Sequence, residues 1–137
     1  MTAKESGYPF TLTWIIYATP AEVYTALSDA EKIKTWSGED AIFNAEVNGE
    51  YEMFGGWVKG KVLAAEPEKK LSFSWKPKEW SLKTMPSLVT CLLEADPAGT
   101  RLTLIHSDFP GLEESESHKS GWVDNVFEPL NDYFVMR

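Results

Sequence analysis

The chain is short of cysteine, histidine and long apolar runs, and each shortage excludes something. Cys91 is the single cysteine among 137 residues, so no internal disulfide can form, which suits a reducing compartment such as the cytoplasm. The two histidines, His106 and His118, have no cysteine or acidic set at ligand spacing, and no structural zinc is expected. No stretch is apolar for long enough to cross a bilayer, and the polar segment Met1–Tyr8 has nothing resembling a secretory signal. Basic residues are also scarce: 13 Lys and Arg face 21 Asp and Glu, for a net charge of −8, and they form no stripe. Nucleic acid and an anionic membrane surface are therefore not expected partners, which leaves a protein or a small molecule. No catalytic triad and no phosphate-cradling loop can be found, and no cofactor is expected; Gly55-Gly56 reads as a turn.

What is present describes a folded globule. With 43% hydrophobic and 25% charged residues, the composition is that of a packed protein. The length predicts one domain, residues 1–137, that buries roughly two-thirds of its unfolded surface. Phe10, Leu12, Trp14 and Ile16 alternate with polar neighbours, the period of a half-buried strand running to Ala18. Thr19-Pro20-Ala21-Glu22 then has the residues of a capping box, and Ser28-Asp29-Ala30-Glu31 repeats the pattern, so two short helices follow, the second ending at Ser37-Gly38. Six strands are predicted next, over about 42–47, 50–54, 57–66, 70–76, 86–95 and 100–107. Asn48-Gly49 suits a tight hairpin and Gly55-Gly56 another. Leu71, Phe73 and Trp75 face one way, with Ser72 and Ser74 on a wet opposite face.

The dry face needs a cover. Trp122, Val123, Val126, Phe127, Leu130, Tyr133 and Phe134 recur at helical spacing and supply one, in a C-terminal helix that takes in His118 near its start. Pro129 removes a helical hydrogen bond and predicts a kink or break near Asn125. The stretches 77–86 and 110–117 read as loops that rim a pocket entrance, and Glu113, Glu114 and Glu116 as an acidic loop.

Strand, two short helices, six-stranded meander and long last helix, in that order, resemble the helix-grip fold of the START-like (SRPBCC) superfamily, an α+β class with a curved antiparallel sheet. Ala18 to Tyr24 with Leu27 and Trp36, then Asn48-Gly49-Glu50-Tyr51, Gly60-Lys61-Val62, Pro67 with Leu71 to Trp75, and Thr100 to Leu104 are similar in order to the branch named after the activator of the Hsp90 chaperone ATPase. His106-Ser107-Asp108-Phe109-Pro110, with His118 and Gly121-Trp122, resembles its closing signature. The resemblance covers nearly the whole chain. It implies a domain that binds apolar small molecules, cyclises polyketides or stimulates the chaperone.

Several residues are candidates for a site between sheet and helix. Leu102, Leu104 and His106 share a strand face, so an inward Leu104 brings His106 inward too. There the imidazole is either a core group satisfied by local hydrogen bonds or one that orients a ligand or moves a proton. His118 either meets His106 or faces water. Cys91 shares a face with Val89 and Leu93 and reads as a small buried hydrophobe rather than a nucleophile. Trp75, His106, Trp122 and Phe127 are the foremost cavity candidates, with Trp36, Phe54, Trp57, Cys91 and His118 beside them. An empty cavity of about 300 Å³ would cost on the order of 7 kcal/mol, so side chains, water or a ligand must fill the space. The leading expectation is a small apolar or amphipathic ligand. A chaperone or other protein partner is the second, and catalysis by His106 the third; the oligomeric state is left open.

Overall fold

The computed structural model describes residues 7–136, so Met1–Ser6 of the polar N-terminal segment and Arg137 lie outside the described residues. Among the described residues, seven strands form one antiparallel sheet in the order β1-β7-β6-β5-β4-β3-β2. They are β1 (Phe10–Ile16), β2 (Ile42–Phe43), β3 (Glu50–Met53), β4 (Val58–Glu66), β5 (Lys70–Pro77), β6 (Ser87–Asp96) and β7 (Gly99–Ser107). Six of them run as a meander, and β1 pairs with β7 from Phe10↔His106 to Ile16↔Thr100.

Helices α1 (Pro20–Ser28) and α2 (Ala30–Ser37) connect β1 to β2. The amide of Thr19 donates to Glu22 Oε1 at 2.9 Å and Glu22 N–H to Thr19 Oγ1 at 3.2 Å, closing the expected capping box. The second cap differs from expectation. Asp29, not Ser28, accepts from Lys32 N–H at 3.1 Å, because Ser28 is still in α1 and donates to the Tyr24 carbonyl. Gly38, at φ 77°, ends α2 in the left-handed conformation.

The predicted strand 42–47 is only two residues long. Asn44 N–H still donates to Glu50 O, but the chain then turns through Glu46 to Gly49, so Asn48-Gly49 closes a wide loop instead of a tight hairpin. Phe54, Gly55 and Gly56 all have positive φ and make the β3–β4 turn, as the glycine pair foretold. Ser72 corrects another expectation: it is buried, with its hydroxyl donating to Val89 O at 3.0 Å, so the outer face of β5 is dry at that point.

Gly60 of β4 marks a close approach. It stands opposite Tyr51, whose hydroxyl reaches over to donate to the Ser74 carbonyl at 2.6 Å. A Cβ on Gly60 would collide with that same carbonyl. Gly60→Ala is therefore expected to cost about 1–3 kcal/mol through forced separation of β4 and β5, read as a lowered urea midpoint with unchanged m. An unchanged midpoint would mean that the strands can part without penalty. The register also shifts between Val62 and Ala64, an irregularity of the kind that bends a sheet.

The C-terminal helix starts earlier than the sequence suggested. Leu112–Trp122 forms α3, so residues 112–117 are helical rather than loop, and the acidic run Glu113 to Glu116 lies on its first turns. A single wide π-turn, Val123–Phe127, leads into α4 (Glu128–Met136). Proline explains it: Pro129 has no N–H for the Asn125 carbonyl, and the neighbouring Glu128 N–H reaches back five residues to Val123 O. The expected disruption near Asn125 is thus one extra residue in the helix, not a break. That residue advances the buried stripe, so Leu130 and Phe134 point inward where Tyr133 is half exposed.

The helix lies along the inward face of the sheet. Trp122 packs on Trp75 of β5 at 5.0 Å between ring centroids, and Phe127 stacks on Trp14 of β1 at 5.4 Å. Leu71, Val89, Leu102 and Leu104 complete the buried floor between these points. The curved antiparallel sheet closed round a long C-terminal helix is the helix grip.

Candidate functional site

Two neutral histidines organise the space between sheet and helix. His106, on β7, is fully buried. Its Nδ1 receives the indole N–H of Trp122 at 2.9 Å, and an indole N–H can only donate. The ring's own proton therefore sits on Nε2, which donates to Ser87 Oγ at 2.7 Å, and Ser87 passes its hydroxyl proton to the Trp75 carbonyl at 3.0 Å. Burial, with the nearby His118 second, pushes the pKa of His106 down to about 2.

His118, on α3, has the opposite tautomer. Trp75 donates its indole N–H to Nε2 at 3.0 Å, so Nδ1 carries the proton and donates to the Glu114 backbone carbonyl at 2.9 Å. Burial lowers this pKa as well, and the Glu114 carbonyl, the Glu114 carboxylate and Glu79 pull partly the other way. The Glu114 carboxylate lies 3.7 Å from Nδ1, which is not an ion pair while the ring is neutral. The rings are 5.4 Å apart and nearly perpendicular, so the two histidines do meet.

Beside this pair opens a cleft of about 680 Å³. Its buried wall is Trp75, His118, Trp122 and Val126. Half-buried Phe54, Trp57 and Trp80 line it further out, together with Glu114 and Gly121. Glu39, Glu79, Ser117 and Asn125 form the exposed part. Two hydrogen bonds hold the outer aromatics: Trp57 Nε1 donates to Glu79 Oε2 at 2.6 Å and Trp80 Nε1 to Glu114 Oε1 at 3.0 Å. The second ties the loop between β5 and β6 to α3.

The structure brings Phe54, Trp57, Trp75, His118 and Trp122 to the cleft and leaves the other four candidates elsewhere. Trp36 donates its indole N–H to the Ala26 carbonyl at 2.8 Å and borders a separate depression with Pro129 and Tyr133. Phe127 and Cys91 are packed core residues, and burial pushes the Cys91 thiol up to about 12, which keeps it protonated and unreactive. His106 stands behind Trp75 and Trp122, one layer in from the cleft. Trp80 and the three carboxylates were not among the candidates. The two segments read as rims do contribute Glu79, Trp80, Glu114 and Ser117, although the second rim is a helix. Among the described residues, no group of three or more His, Cys, Asp or Glu is placed to hold a metal ion, and no helix is long and apolar enough to cross a membrane.

Sheet, gripping helix and interior cleft define a START-like helix-grip domain. Solved structures agree: a Mesorhizobium loti protein superposes with a TM-score of 0.81 at 26% identity, covering 93% of this chain and 97% of that one. An HSP90 activator from Plasmodium falciparum gives 0.81 at 25% identity, covering 94% and 96%. Residues 17–134 match the family described as activator of Hsp90 ATPase homolog 1-like protein, and the chain belongs to that family. An activator of 90 kDa heat shock protein ATPase homolog from Dictyostelium discoideum is 24% identical over 117 residues, 85% of this chain but 30% of that protein. The Hsp90 co-chaperone AHA1 of Saccharomyces cerevisiae is 35% identical over 65 residues, 44% of this chain and 19% of that one. The chain thus spans about a third or less of these curated relatives' length.

Proposed function

We propose that this domain holds a small apolar or amphipathic molecule in the cleft between sheet and C-terminal helix. The observation that carries the reading is the cleft itself: about 680 Å³ walled by Phe54, Trp57, Trp75, Trp80, Trp122 and Val126. That size and apolar lining, with a few polar groups at one side, are the general form of a small-molecule site. A wholly packed interior would have removed the reading. Native mass spectrometry of the protein purified from its own cells, with a lipid and metabolite screen, is expected to find a retained small molecule. Tryptophan emission should change when it is extracted, because four indoles line the wall. Absence of any bound species, with no ligand shifting the emission, abandons the proposal.

A second reading comes from the relatives, two of which carry the names HSP90 activator and Hsp90 co-chaperone. On it, the domain docks on an Hsp90-type ATPase in the cytosol and its acidic surface meets a basic partner. A pull-down with the cell's own chaperone at moderate salt, with ATPase turnover measured alongside, tests it; no association and no stimulation removes it. Catalysis by His106 receives no support from the geometry. Both ring nitrogens are engaged, the ring is fully buried, and it does not border the cleft.

A further inference from the structure

We infer that the cleft selects an organic cation, an amine or quaternary ammonium group carried on an apolar body. The inference rests on the reading of the cleft as a small-molecule site and adds the sign of the ligand's charge.

Donors and acceptors around the cleft set the sign of the charge it favours. Each indole N–H in the wall is already given away: Trp57 to Glu79, Trp75 to His118, Trp80 to Glu114 and Trp122 to His106. Both nitrogens of His118 are engaged as well. Ser117 and Asn125 are the neutral polar side chains left. Three carboxylates border the space, Glu39, Glu79 and Glu114, and among the described residues no Lys or Arg does. Glu79 and Glu114 each accept one neutral N–H, which leaves their charge uncompensated, and among the described residues none of the three pairs with Lys or Arg. A fatty acid or phosphate head would face three negative charges, and among the described residues no free strong donor meets it.

The same surroundings favour a cation twice over. Aromatic faces attract positive charge through the ring quadrupole. Here they meet as corners, Trp57 with Trp75 at 77° and 6.1 Å between centroids, Phe54 with Trp57 at 71° and 6.4 Å. Carboxylates at the mouth of a low-dielectric cleft focus the field there, and the net charge of −8 draws cations toward the molecule. A volume of about 680 Å³ leaves room for an apolar body beyond the head group.

The test titrates the full chain with decyltrimethylammonium, decanol and decanoate below their micellar range, followed by tryptophan emission and by NMR of the indole N–H signals. Decyltrimethylammonium is expected to bind roughly tenfold tighter than decanol, more so over decanoate, and to weaken as salt is raised. Glu79→Gln/Glu114→Gln keeps a side-chain carbonyl to accept from Trp57 and Trp80, and should remove about tenfold of the preference for the cation over decanol, a ratio that a general weakening of the wall would not move. Glu31→Gln, on the exposed side of α2, should change nothing and controls for bulk charge. Should the double variant fail to fold, Glu39→Gln, whose carboxylate lies on the exposed part of the cleft, replaces it with an expected loss of about threefold. Decanol or decanoate binding as well as the cation would overturn the charge selection while leaving the cleft reading standing. Failure of all three to bind would remove both. Tetramethylammonium binding as tightly as the decyl compound would overturn the apolar body and point to a cationic side chain of a partner.

Discussion

Replacing Trp75 by Ala is expected to lower stability by about 3–5 kcal/mol, a large part of a domain's typical 5–15 kcal/mol. Trp75 is almost completely buried on β5 and touches Trp57, His106, His118 and Trp122. Removing it takes away the contact that seats α3 on the sheet and strips His118 Nε2 of its donor. Because the vacated space joins the cleft, water can enter, which favours the lower end of the range. Trp75→Phe separates the two effects. It keeps an aromatic ring in the wall, loses the N–H and the second ring of the indole, and is expected to cost about 1–3 kcal/mol. The pKa of His118 should also rise in that variant, since a bond that favours the neutral ring is gone, and NMR titration of the imidazole checks this. Urea unfolding followed by circular dichroism measures both stabilities. A loss below about 1 kcal/mol for Trp75→Ala would mean that the helix does not depend on β5 for its seat.

Acid is expected to unfold the protein through its histidines. In the unfolded chain His106 takes a proton near pH 6.5, whereas in the fold it does so only at about 2. Between those values the unfolded state binds the extra proton, so stability is complete above pH 6.5 and falls as the pH drops below it, by about 1.4 kcal/mol per unit. At pH 4.5 the loss is on the order of 3 kcal/mol, and His118, shifted in the same direction, adds to it. The structural cause is explicit: protonating Nδ1 of His106 breaks its bond from Trp122, and the charge would be buried beside His118, with no carboxylate paired to it among the described residues. His106→Gln should flatten most of this slope, whatever it does to stability at neutral pH. Equal slopes in the two proteins between pH 7.5 and 4.5 would refute the assignment.

Much of the fold is written in local patterns. Alternation in Lys70 to Lys76 and in Leu102, Leu104 and His106 foretold which residues point inward, since a strand's side chains must alternate. Thr19, Pro20 and Glu22 foretold α1 because the cap is made by neighbours in sequence. Where the reading failed, the stabilising contact was distant. Residues 112–117 show no apolar stripe and looked like a loop, yet Ser115 donates to the Tyr8 carbonyl at 2.7 Å and His118 is held by Trp75, so the helix is fastened by partners far away in the chain. Strand 42–47 stopped at Phe43 because Val62 of β4 donates its N–H to the Gly49 carbonyl and accepts from Asn48 N–H, drawing the loop onto the sheet.

The amino-acid sequence by itself determined the class of fold, the family, the inward faces of β1, β5, β6 and β7, and the disturbance that Pro129 imposes on the last helix. These rest on period, capping and turn chemistry, which act over a few residues. The tertiary structure alone decided that His106 is a sealed neutral ring while His118 borders the cleft, and that Glu39, Glu79 and Glu114 converge on the same aromatic walls. Those three carboxylates come from three separate elements, and no periodicity relates them. Only closing the sheet on its helix brings their charges together.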